Sequence, residues 1–135
     1  MRPPRAGRPS DLVVAVDDEV AILRSLERLL RKEPYELLTT LRPAQALEWV
    51  RAREVGVVLA DSRMPEMGGV ELLEELAAAR PATRRVLFTG YPGQTPTAPD
   101  LSNGLYILVP KPWDDEALRG TIRRLLRERR AEPAR

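Results

Sequence analysis

Short aliphatic runs alternate with longer segments whose apolar residues recur at helical spacing, and this alternation constrains the fold more than any other feature of the chain. The runs are Leu12 to Val16, Tyr35 to Thr40, Val55 to Ala60, Arg84 to Thr89 and Leu105 to Val109; rich in Val, Leu and Ile, they predict five strands. Between them, Ile22, Leu26, Leu29 and Leu30 fall at i, i+4, i+7 and i+8, Val70, Leu73 and Ala77 at i, i+3 and i+7, and Leu118, Ile122, Leu125 and Leu126 repeat the first pattern. Ala44 to Arg53 reads as a shorter helix opened by Pro43, whose fixed φ suits a first turn. Strands that are apolar almost throughout are buried on both faces, so the expected class is a doubly wound α/β sandwich with a parallel sheet between two helical layers.

Composition narrows the chemistry. The chain has 135 residues, 43% of them hydrophobic, enough for one compact domain with a substantial core. It contains neither cysteine nor histidine. Disulfide scaffolds, thiolate chemistry, Ser-His-Asp triads and the usual zinc sites are thereby excluded, leaving carboxylates, hydroxyls and the Lys and Arg cations. No stretch has the length of a signal peptide core or approaches the roughly 18 apolar residues of a membrane span. A cytoplasmic protein without membrane contact is expected. The net charge is +2, but arginines crowd the first ten residues and the segment from Arg119 to Arg135, which reads as a solvated helix face or as a surface for nucleic acid or an acidic partner. Of 22 basic residues only Lys32 and Lys111 are lysines, which singles out Lys111.

In open parallel sheets, ligands bind just beyond the carboxyl ends of the strands. Strand one ends in Asp17, Asp18 and Glu19, strand three in Asp61, strand four in Thr89 and Gly90, and strand five in Lys111 and Pro112. Taken singly, the acids after strand one could cap a helix, Asp61 could start a turn, and Thr89 and Lys111 could be surface residues. Taken together, they place carboxylates, a hydroxyl and an ammonium along one sheet edge.

Carboxylates held close together raise one another's pKa unless a cation intervenes, and an all-oxygen donor set suits Mg²⁺. A carboxylate beside that ion can attack a phosphoryl group to give an aspartyl phosphate. Asp61 is the best-placed nucleophile, Lys111 the cation and Thr89 a hydroxyl donor, while Pro65 and the glycine pair Gly68 and Gly69 bend the loop after strand three toward the site.

The stretches VDDE from Val16, DSRMP from Asp61, FTG from Phe88 and KPWDD from Lys111 resemble the receiver domain of bacterial two-component response regulators, in the family's order and spacing across about residues 11 to 130. The resemblance implies a CheY-like, flavodoxin-like sheet of order 2-1-3-4-5. It makes Asp61 the phosphoacceptor, has Asp17, Asp18, Asp61 and the backbone carbonyl of Arg63 hold Mg²⁺, and gives Thr89 the switch hydroxyl and Lys111 the phosphoryl contact. The implied phosphodonor is a phosphohistidine on a sensor histidine kinase or phosphotransfer protein; the implied recipients are a downstream protein target or output domain, or a second copy in a homodimer, with no direct nucleic-acid contact by this domain. Arg63 and Tyr91 would flank the path of water to the aspartyl phosphate.

Two departures from the family stand out. Leu108 occupies the place of the usual strand-five aromatic, and the ring is instead at Tyr106, on the same face but one strand step, roughly 7 Å, further from the site. The segment from Tyr91 to Gly104, YPGQTPTAPDLSNG, carries prolines at 92, 96 and 99 where the family has its fourth helix, and each interior proline costs a helix about 3 kcal/mol. A loop or one short turn is expected there. The expected organisation is a disordered basic tail over 1–10, the receiver over 11–130 and a flexible end over 131–135. Besides a phosphorylatable receiver, the sequence admits a phosphorylation-independent pseudo-receiver that binds a protein partner, and a Mg²⁺-dependent phosphohydrolase acting through Asp61, for which no second general acid or lid domain is evident.

Overall fold

The computed structural model describes residues 11–90 and 104–131. The elements run β1 (Leu12–Val16), α1 (Val20–Leu30), β2 (Glu36–Thr40), α2 (Pro43–Ala52), β3 (Val57–Asp61), α3 (Gly69–Ala79), β4 (Arg84–Thr89), β5 (Ile107–Pro110) and α4 (Asp115–Ala131). The strands form one sheet in the order β2-β1-β3-β4-β5, and every neighbouring pair is parallel. This is the expected doubly wound sandwich, and among the described residues it carries four helices. The basic segment 1–10, the proline-bearing segment 91–103 expected as a loop in place of the fourth helix, and the end 132–135 lie outside the described residues.

The alternation of side chains along each strand divides the core in two. Val13 and Ala15 of β1, Val57 and Leu59 of β3 and Val86 and Phe88 of β4 face α1 and α4, where Leu23, Leu26, Leu118, Ile122 and Leu126 meet them. Leu12, Val14 and Val16, with Val58, Ala60 and Leu87, face α2 and α3 through Ala46, Val50, Leu72, Leu73 and Leu76. Burying such side chains is worth about 1.5–3 kcal/mol each, and β1 and β3, wholly buried along their length, place their ends firmly. Tyr106 and Leu108 pack against the α2/α3 side, so they share a face as period two requires.

Several boundaries differ from the sequence reading for identifiable reasons. β3 begins at Val57, just after Gly56, whose N–H donates to the Leu12 carbonyl at 2.7 Å, and it runs one residue further, so that Asp61 itself pairs with Phe88. β2 begins after Tyr35, which is buried. β5 begins at Ile107 rather than Leu105, since the Leu105 carbonyl accepts the Arg85 Nε–H at 2.6 Å. Pro110 closes β5 opposite Thr89 on an edge strand, where its missing donor costs the sheet nothing. The arginines of α4 are not simply a solvated face. Arg119 donates to the Leu29 carbonyl, Arg123 forms a two-pronged pair with Glu33 at 2.8 and 2.6 Å, Arg129 meets Glu54 and Arg130 meets Asp11. No helix among the described residues is long and apolar enough to cross a membrane.

Candidate functional site

β1 and β3 are neighbours in register, Val16 opposite Ala60, so the acids that follow them emerge side by side at the carboxyl edge of the sheet. Asp17 is fixed by its backbone N–H to the Thr40 carbonyl at 3.2 Å, and its side chain turns inward with 1% exposure. One of its oxygens, Oδ1, accepts the Glu19 N–H at 2.9 Å and the other, Oδ2, accepts the Lys111 ammonium at 2.8 Å. Asp61 is likewise buried; its Oδ1 accepts the same ammonium at 2.8 Å and its Oδ2 accepts the Arg63 N–H at 3.3 Å. Lys111 is itself held by its backbone N–H to the Thr89 carbonyl at 2.7 Å. One cation therefore ties together residues separated by 94 and 50 positions in the chain.

The electrostatics follow from that geometry. Burial works to lower the Lys111 pKa, but the hydrogen bonds to Asp17 and Asp61 and their negative charges outweigh it and hold the ammonium above its ordinary range. Burial pushes the Asp17 carboxyl upward, the Asp61 charge adds to this, and the Lys111 and Glu19 hydrogen bonds offset only part of it. The edge is thus short of positive charge. Asp18 and Glu19 are exposed beside Asp17, and one carboxylate oxygen from each of the three lies within 4.8 Å of the other two. This all-oxygen donor set, in a chain without histidine or cysteine, fits a hard divalent cation.

Capping does not account for the acids after β1, because Glu19 at the N-cap of α1 makes no side-chain cap bond and the first turn contains no acid. A cleft of about 400 Å³ opens over Asp61 and Lys111 and is lined also by Asp18, Glu19, Ser62, Arg63 and Gly90. Arg63 is exposed at its rim. Thr89, half-buried at the end of β4, lies beside the cleft through the Gly90 that follows it and does not line it directly. The sequence reading brought together Asp17, Asp18, Asp61, Arg63 and Lys111 here. It passed over Ser62, whose only signal was its position directly after the strand-three acid.

The sequence profile of the response regulator receiver domain matches residues 13–123, and the chain belongs to that family. Among solved structures, a signal receiver domain of an HD domain-containing protein from Pseudomonas fluorescens Pf-5 superposes with a TM-score of 0.78 at 32% identity, covering 90% of this chain and 98% of that one. A CheY-like receiver from Methanospirillum hungatei JF-1 gives 0.76 at 27% identity over 91% of this chain and 98% of that one. The transcriptional regulatory protein ZraR of Escherichia coli O157:H7 is 33% identical over 114 residues, 84% of this chain. The chain spans about a quarter, 26%, of that regulator's length. Receiver domains are signalling phosphoacceptors rather than classical enzymes, and they typically bind Mg²⁺ at an acidic pocket such as this.

Proposed function

We propose that this receiver accepts a phosphoryl group on Asp61 and relays the change to a protein partner or output domain. The observation that carries the reading is the Lys111 ammonium bound at 2.8 Å by both Asp17 and Asp61, which brings the acids of two strands and a basic group to one point. A carboxylate oxygen of Asp61 attacks phosphorus; the N–P bond of a donor phosphohistidine breaks, its electron pair stays on the imidazole, and a carboxyl–phosphate bond forms. These 135 residues contain no histidine, so the donor imidazole lies outside them, on a kinase or phosphotransfer domain. Lys111 then pairs with a phosphoryl oxygen, and the Thr89 hydroxyl donates to another. Asp17, Asp18 and Asp61, with the backbone carbonyl of Arg63, would hold Mg²⁺, which when bound supplies positive charge against the phosphoryl oxygens. Such a relay belongs to the cytoplasm and to two-component signalling.

The test is incubation of wild type and Asp61→Asn with acetyl phosphate and Mg²⁺, read by intact mass. Wild type gains one phosphoryl group and Asp61→Asn gains none. A label that survives the substitution moves the acceptor elsewhere, and failure to bind beryllofluoride with Mg²⁺ favours the pseudo-receiver.

A further inference from the structure

The glycine pair after β3 is not a pair in function. A Cβ built on Gly68 meets nothing nearer than the Ser62 carbonyl oxygen at 4.0 Å, an ordinary contact. A Cβ built on Gly69 would collide with the Asp61 carbonyl oxygen, and would stand 2.9 Å from the Asp61 carbonyl carbon and 2.7 Å from Leu87 Cδ1. Gly69 opens α3, is buried and does not adopt a positive φ, so what it supplies is close approach rather than an unusual backbone. The first turn of α3 rests directly on the peptide of the residue at the centre of the site.

We infer that Gly69 is a positioning residue for Asp61, and that its missing side chain sets where the phosphoacceptor carboxylate stands. This rests on Asp61 as acceptor. Leu87 presents only the end of a side chain and can yield, whereas the Asp61 peptide cannot yield without cost to the site. Asp61 pairs with Phe88, the next N–H, that of Ser62, donates to the Phe88 carbonyl at 2.9 Å, and the Gly69 N–H donates to the Ser62 carbonyl at 3.2 Å. On the other side, α3 is held to the sheet by Leu72, Leu73 and Leu76, all fully buried. An added methyl therefore meets a seated helix on one side and the Asp61–Ser62 peptide on the other, and the clash is relieved at the site's cost by rotation of that peptide. That rotation carries the carboxylate away from Lys111 and Asp17.

Gly69→Ala and Gly68→Ala are compared with wild type in two assays: acetyl-phosphate labelling across donor concentrations, and amide exchange of Ser62 in divalent-free buffer. Gly69→Ala is expected to lose about tenfold or more in maximal labelling rate, with the half-saturating donor concentration changed by less than about twofold, because the reacting group is misplaced while donor binding is not. Its Ser62 amide exchanges faster, and Gly68→Ala matches wild type in both assays. Wild-type rate and exchange in Gly69→Ala overturn the inference, as does an equal loss in Gly68→Ala, which would report chain entropy instead of contact. If Gly69→Ala does not fold, the same comparison is made in the Leu87→Ala background, where only the peptide obstacle remains. A double variant that labels like Leu87→Ala alone, or that also fails to fold, overturns it too. If wild type takes no label, the acceptor reading falls separately and the exchange assay still decides whether Gly69 holds the Asp61 backbone.

Discussion

The rings of Phe88 and Trp113 lie 5.1 Å apart at a tilt of 35°, joining β4, which ends at Thr89, to the segment that follows Lys111. Phe88 is fully buried, while Trp113 is half-exposed and donates its Nε1–H to Asp115 at 3.1 Å. Such pairs add about 0.5–1.5 kcal/mol beyond the area they bury. Trp113→Ala should lower unfolding stability by about 1–3 kcal/mol, less than a full core truncation because the ring is not wholly buried, and Trp113→Phe should recover most of it. On the proposed reading Lys111 exchanges a carboxylate for a phosphoryl oxygen when Asp61 is phosphorylated, and Trp113, two residues beyond it, should report that event. In a Trp49→Phe background, beryllofluoride with Mg²⁺ should alter the tryptophan emission. Unchanged emission despite binding would separate Trp113 from the switch.

Lys111 balances two carboxylates that are otherwise almost dry; the Asp17, Asp61 and Lys111 side chains are 2%, 10% and 14% exposed. Removing one partner from a buried ionic group commonly costs 3–5 kcal/mol because charge is left uncompensated. Lys111→Met should therefore destabilise the metal-free protein by about 2–4 kcal/mol, a little below that range since water reaches the site's edge. Added Mg²⁺ should raise the denaturation midpoint of Lys111→Met more than that of wild type, because the ion then supplies the missing charge. Equal shifts in the two proteins would show that the acids do not share the ion.

Tyr35 is 5% exposed, and its hydroxyl has no hydrogen-bond partner among the described residues. Burial first, then the Glu33 charge, raise the phenol well above its ordinary value of 10.0, against the smaller opposing effect of Arg123 and Arg119. The unfolded chain releases this proton from about pH 10 upward while the folded chain keeps it, so the stability linked to Tyr35 is intact below that pH and declines as pH rises beyond it. Tyr35→Phe removes both the orphan hydroxyl and the titration. It should gain on the order of 1 kcal/mol at pH 8, and its advantage over wild type should widen at pH 11. Urea denaturation at the two pH values measures this; an advantage that narrows at pH 11 would show the phenol ionising readily in the fold.

The strands and the acids at their ends were legible because fully buried parallel strands must be aliphatic, so the first charged residue after such a run marks the sheet edge. Asp17, Asp61 and Lys111 follow this rule, and the start of α2 at Pro43 was legible for a different reason, proline's fixed φ. What the sequence could not show depends on the third dimension. Gly68 and Gly69 are indistinguishable as letters, and only the seating of α3 on the Asp61 peptide separates them. Tyr35 looks like a strand residue by propensity, yet it packs in the core before β2 begins. The arginines of α4 have a solvated pattern, but the partners that hold them, Asp11, Glu33 and Glu54, come from distant parts of the chain.

Gly56 and Gly120 give a paired test of how the helix carrying those arginines is seated. A Cβ on Gly56 would lie 2.5 Å from Leu126 Cδ2 and 3.4 Å from the Leu12 carbonyl oxygen, so α4 packs against the chain just before β3 only because no side chain intervenes. Leu126 is fully buried and cannot swing into solvent. Gly56→Ala should cost about 1–3 kcal/mol as an overpacked core position. Gly120 lies within α4, exposed, with nothing within 4 Å of a built Cβ. Alanine there removes backbone freedom from the unfolded chain and should add about 0.5–1 kcal/mol. The opposite signs are the point of the comparison, since general helix propensity predicts no loss at Gly56. Chemical denaturation of the two single variants measures both, and a Gly56→Ala domain as stable as wild type would mean that Leu126 repacks at little cost and that α4 is seated more loosely than these contacts require.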